Sequence, residues 1–166
     1  STVDLAPTLL HIAGLPVAAD FAGVDFAPLF DAPERPVRDY IYAEHHWHDY
    51  AALEVAVRSK RYKYIYNYYN DLPLSPPADV GRSPSVTAMR RLYEAGRLSP
   101  DQTACFAVPR PREVFCDTVA DPFELRNLVD DPGAATALAE HRRALEAWIR
   151  ETGFQVPLVR TPDEFD

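Results

Sequence analysis

Apolar positions recur at helical spacing near both ends of the chain and at a period of two through its middle. Leu5, Leu9, Ile12 and Ala13 form the first stripe. Asp4 can cap this segment, Pro7 falls in its first turn and Gly14 terminates it, which predicts a short helix over 5–13. A helix of this length does not stand alone, so its stripe docks either within the same domain or against a larger body. Residues 18–36 read as loop with a turn at 28–30, and 40–46 has the aromatic and β-branched character of a strand. The runs 53–57 and 62–69, separated by Ser59 and Lys60, predict an antiparallel hairpin. Its second strand places Tyr62, Tyr64, Tyr66 and Tyr68 on one face and Lys63, Ile65 and Asn67 on the other. A tyrosine face could stack sugars. Tyrosines on a half-buried sheet more often pack under a helix with their hydroxyls at the rim, and that is the expectation here.

Beyond the hairpin, 71–85 is a proline-rich crossing. Ser83 or Ser85 then caps a helix through Ala95, with Pro84 near its start and Gly96 ending it, and Ser99 and Pro100 open a single turn to Ala104. Pro109 and Pro111 bring extended chain into a strand over 113–118, at the edge or end of the sheet. The strongest element is a helix over 132–152, with Asp131 as N-cap, Pro132 at its first position and Gly153 just past its end. Leu138, Leu145, Trp148 and Ile149 share one of its faces. At about 1.5 Å per residue it runs roughly 30 Å, enough to cross a small sheet. The expected fold is α+β, a short antiparallel β-sheet packed against a long C-terminal helix.

Composition narrows the partners. A length of 166 residues with 47% apolar content supports a buried core of single-domain size. The net charge of -8 argues against nucleic acid, which requires clustered Lys and Arg. No apolar run approaches the roughly 20 residues needed to span a bilayer, so no membrane partner is expected. Cys105 and Cys116 give neither a disulfide framework nor a metal-site spacing. One run stands out for chemistry, Glu44-His45-His46-Trp47-His48-Asp49. On a strand Glu44, His46 and His48 would share one face and His45, Trp47 and Asp49 the other. The histidines could ligate a metal, offer donors to an anionic sugar, or form a solvated strand end; the metal reading is weakest because few ligands close on one point.

From Val114 the chain reads V-F-C-D-T-V-A-D-P-F-E-L-R-N-L, followed by a capped helix with L-x-x-W near its end. Asp121 and Pro122 suit a tight turn off the strand, and Glu124 and Asn127 can satisfy loop amides before the helix. This string, in its strand-to-helix setting, resembles the C-terminal signature of the sulfatase family. Residues 1–16 look like the helix that closes a sulfatase's large α/β domain, and Arg58 to Asn67, R-S-K-R-Y-K-Y-I-Y-N, looks like the family's first C-terminal hairpin. The stretch S-P-S-V-T-A-M-R-R-L-Y-E-A-G-R-L-S-P is similar to bacterial members related to heparan N-sulfatases.

The resemblance implies a parent enzyme in which a formylglycine, made from Cys or Ser in C/S-x-P/A-x-R, attacks sulfur beside a Ca²⁺ held by Asp and Asn. Cys105 is followed by F-A-V-P-R and Cys116 by D-T-V-A, so neither fits the motif. The chain is therefore expected to carry no cofactor, metal or catalytic residue of its own and to be inactive alone. Residues 1–36 are expected to be helix and linker from the end of a missing N-terminal α/β sulfatase domain, and 37–166 a C-terminal α+β subdomain. Opening at Ser1 straight into a helical segment fits an internal start. In resembling sulfatases a His-containing segment after the first C-terminal strand approaches the substrate, which makes His45, His46 and Arg58 candidates for contact with a sulfated saccharide. Asp121, Pro122, Glu124 and Asn127 carry over as structural residues. The resemblance also implies a periplasmic or otherwise extracytoplasmic setting, and self-association through an exposed domain interface. Two other classes compete: a free-standing carbohydrate-binding or interaction module, and an independent metal-dependent hydrolase using the histidines.

Overall fold

A computed structural model describes residues 1–162 and divides the chain into two compact units, Ser1–Tyr42 and a second from Ala43 onward. In the first unit a 3-10 turn, Thr2–Asp4, leads into helix α1, Leu5–Ile12, and a second 3-10 turn lies at Ala27–Phe30. The Asp4 side chain does not cap α1. Its Oδ1 instead accepts from the Val24 N–H at 2.8 Å and pairs with Arg38. Thr8 Oγ1 donates to the Asp4 carbonyl at 2.6 Å and accepts from the Phe26 N–H at 3.0 Å. The loop amides at Val24 and Phe26 thus draw the polar edge of α1 inward, and Asp4, Pro7 and Thr8 are buried. At Gly23 this loop passes so close that a Cβ would run into the Val3 carbonyl. The apolar stripe faces the other way: Leu5 is 49%, Leu9 62% and Ile12 58% exposed.

Strand β1, Ile41–His45, opens a four-stranded antiparallel sheet with the order β1-β2-β3-β4, where β2 is Glu54–Arg58, β3 is Tyr62–Asn67 and β4 is Glu113–Asp117. The register sets Val57 opposite Tyr64 and Tyr64 opposite Phe115, with Val55, Tyr66 and Glu113 the next row on the same face. After β3 come three short helices, α2 (Ala78–Gly81), α3 (Pro84–Glu94) and α4 (Pro100–Thr103). The single turn α2 lies within the proline-rich crossing, where the sequence predicts no element. The long helix α5, Ala135–Thr152, covers the tyrosine face after a 3-10 turn at Pro132–Ala134.

Here the core forms. Val55, Val57, Phe115, Leu138 and Leu145 are buried, each such side chain contributing about 1.5–3 kcal/mol. Tyr62 stacks on Phe115 at 5.1 Å between ring centroids, and the buried His141 of α5 lies edge-on to both rings. The Tyr64 hydroxyl donates to Glu113 Oε2 at 2.6 Å, and Arg142 Nε donates to the same oxygen at 2.7 Å. Burial and the Glu113 carboxylate together push the Tyr64 phenol well above its usual range. The tyrosines therefore pack under a helix with a hydroxyl at the rim. Local chemistry sets the helix ends. Ser83 Oγ accepts from the Val86 N–H, and Ser99 and Gln102 form a reciprocal capping box; Asp131 Oδ1 accepts from the Gly133 N–H at 2.8 Å and so caps the 3-10 turn ahead of α5, which starts three residues later than the sequence predicts and has no side-chain cap of its own. Gly153, at φ 66°, ends α5 in the left-handed conformation.

Candidate functional site

The turn after β4 holds that strand's outer edge. Asn127 Oδ1 accepts from the Phe115 N–H at 2.9 Å while its Nδ2 donates to the Glu113 carbonyl at 2.9 Å, so one side-chain amide pairs with β4 as a neighbouring strand would. The Leu128 N–H continues this pairing by donating to the Phe115 carbonyl at 2.7 Å. Asp121 Oδ2 accepts from the Arg126 N–H at 2.8 Å across the turn that Pro122 opens. Glu124 adopts φ 55° and pairs with Lys63 of β3 instead of a loop amide. These four residues build the connection from sheet to α5; they line none of the cleft described next.

That cleft, of about 180 Å³, opens where β1 ends and is lined by His45, His48, Asp49, Pro73, Leu74 and Arg110 among others. Glu54 organises it. Its Oε1 lies 3.0 Å from His45 Nδ1, and its Oε2 accepts from Arg110 Nη1 at 3.3 Å. Arg110 Nη2 donates to Asn67 Oδ1 at 3.1 Å, while its Nε is buried without a hydrogen-bond partner. His48 Nδ1 lies 3.2 Å from Asp49 Oδ2, the oxygen that also accepts from the Ala78 N–H at 2.6 Å. This amide, with the neighbouring His48 and Arg82 side chains, holds the Asp49 carboxyl below the usual range despite some desolvation. Both carboxylates are thus engaged by neighbours, and the cleft offers two imidazoles and a guanidinium beside apolar Pro73 and Leu74.

Strand alternation separates the sequence-predicted contacts. His45 joins the cleft, whereas His46 packs edge-on against Phe154 at 5.7 Å and lies 3.2 Å from Glu44. Arg58 shares a strand face with Glu54 but stands four residues along β2, about 13 Å away, and is exposed. His48 departs from the predicted alternation because β1 stops at His45 and the chain then turns, the His48 N–H donating to the Tyr50 carbonyl. Glu54 and Arg110 were not singled out from sequence, since only the fold brings residues 56 positions apart together. Among the described residues no three His, Cys, Asp or Glu side chains group to hold a metal ion.

The chain is 36% identical over 156 residues to an ulvan-active sulfatase of Formosa agariphila, a match covering 92% of this chain and 26% of that protein. It is 28% identical over 148 residues to a Delta 4,5-hexuronate-2-O-sulfatase of Bacteroides thetaiotaomicron, covering 89% and 23%. A solved 2-O GAG sulfatase superposes with a TM-score of 0.60 at 26% identity, over 94% of this chain and 27% of that one. This chain is homologous to the C-terminal portion of the sulfatases. No family model matches it. It spans about a quarter of the length of these relatives. The sulfatase C-terminal portion has the α+β fold described above, and the free-standing module is not favoured, because the matched stretch forms part of a larger sulfatase in each relative.

Proposed function

We propose that this portion flanks the catalytic body of a sulfatase acting on sulfated saccharides, ulvan being the first to test, and that the His45 cleft walls its substrate site. The relationship to sulfatases acting on ulvan and on hexuronate 2-O-sulfates supports the substrate class. The observation that supports this reading is the cleft, where two imidazoles and the Arg110 guanidinium lie beside an apolar wall, a lining suited to a charged sugar. Residues 1–36 belong in this reading to the α/β body, and the exposed Leu5, Leu9 and Ile12 stripe is the surface that meets it. Residues 37–166 form the flanking subdomain.

Among the described residues no side chains group to hold a Ca²⁺ ion, and neither cysteine fits a formylglycine site. Burial, with Glu124 nearby, pushes the Cys116 thiol up, and Cys105 lies outside the required motif. Nucleophile and metal come from the rest of the polypeptide in this proposal, and the contribution of this chain is to bind and orient. In the full-length enzyme, His45→Ala should raise KM for ulvan oligosaccharides about tenfold, as expected for losing one charge-assisted hydrogen bond, with kcat less affected. An unchanged KM removes His45 from the substrate site.

A further inference from the structure

The two cleft histidines share an arrangement. His45 Nδ1 meets Glu54 Oε1 at 3.0 Å, and His48 Nδ1 lies 3.2 Å from Asp49 Oδ2. An ionised carboxylate only accepts hydrogen bonds, so in each pair the proton sits on Nδ1 and Nε2 is the ring nitrogen left for a ligand. In the neutral ring that nitrogen carries a lone pair, which repels an anion. Only the imidazolium donates from Nε2, so an anion hydrogen-bonded there requires the ring to carry a second proton. The charged groups around His45 are Glu54 of β2, His48 and Asp49 of the following loop, and Arg110 from the segment entering β4. Arg110 adds fixed positive charge, while Glu54 ties it to His45 through its two oxygens.

We propose that this cleft is a proton-coupled oxyanion subsite: it takes an anionic substituent of the saccharide, sulfate ester or carboxylate, and takes up protons onto His45 and His48 as it does so. Glu54 is the positioning residue that holds the His45 ring through Nδ1. This rests on the cleft lying in the substrate site, and it adds residues and a proton stoichiometry to that reading.

The test is calorimetric titration of the full-length enzyme with ulvan oligosaccharides near pH 7, in buffers of differing ionisation enthalpy. Net proton uptake is expected in the wild type, and His45→Gln should remove the share that His45 carries, about half of it. Glu54→Gln keeps an acceptor for Nδ1 but loses the charge, so it should lower both uptake and affinity, the latter about tenfold. Glu54→Asp should restore part of each, and equal thermal midpoints among the variants exclude a folding effect. Desulfated oligosaccharides separate the sources: uptake lost on desulfation identifies the sulfate, uptake retained identifies a carboxylate, and either supports the proposal. Binding without proton uptake in the wild type, or uptake unchanged in both His45→Gln and Glu54→Gln, overturns it. If His45→Ala still raises KM, the substrate-site reading survives that failure; if it does not, both fall.

Discussion

Asn127→Ala should destabilise the second unit far more than an exposed position would normally suggest. Three hydrogen bonds end on this side chain, from the Phe115 and Val129 N–H groups and to the Glu113 carbonyl. Water can replace the partner at Glu113 and Val129. It cannot do so readily at Phe115, whose side chain is 0% exposed and whose amide lies beneath the loop it binds. An unsatisfied buried N–H costs about 1–3 kcal/mol, and the two replaceable bonds add roughly 0.5 kcal/mol each, giving about 2–4 kcal/mol in total. For a chain of this size that is a fall in Tm of roughly 5–15 °C. Urea unfolding followed by circular dichroism measures it directly. Asn127→Asp keeps the acceptor for Phe115 but sets an oxygen against the Glu113 carbonyl, so it should also destabilise. A midpoint shift for Asn127→Ala equivalent to under about 0.5 kcal/mol, the level of an ordinary surface substitution, would refute the account of β4's edge.

Other consequences follow from the packing. Leu145→Ala removes a side chain only 3% exposed between α5 and the sheet and should cost about 2–5 kcal/mol in urea unfolding. The Asp117 carboxyl is held down to about 2 by Arg61, helped by the Ala120 and Val119 N–H groups against some desolvation. Its unperturbed value is 3.8, so its contribution is complete above that pH and lost as pH falls towards 2; Asp117→Asn should therefore differ most from wild type above pH 4 and converge with it near pH 2. Leu9→Glu with Ile12→Glu should leave the chain's thermal midpoint nearly unchanged and reduce its self-association in light scattering, because both side chains are already exposed.

How much of this was legible follows the range of the chemistry. The starts of α3 and α4 were, because Ser83 and Ser99 cap by reaching three residues along their own chain, whereas Asp131 caps the 3-10 turn before α5 and not α5 itself. The β2-β3 hairpin was, because alternation and a short turn fix its register locally. The Asp4 cap was not, since the competing donors lie at Val24 and Arg38. His141 escaped notice because nothing in the α5 pattern distinguishes a buried histidine bonded to Ser59, 82 residues away, from a solvated one. The cleft was half legible. The histidine run drew attention to His45, but Glu54, which holds that ring, and Arg110 meet it only after β2, β3 and the segment before β4 have paired.

In the proposed function the atoms breaking the sulfate bond lie elsewhere in the polypeptide, and this portion binds and orients. Sulfate release from ulvan oligosaccharides, measured side by side for the 166-residue chain purified alone and for the full-length enzyme, tests it most directly. Turnover by the full-length enzyme and none by the chain alone is the predicted result; enzymatic rates from the chain alone would contradict it.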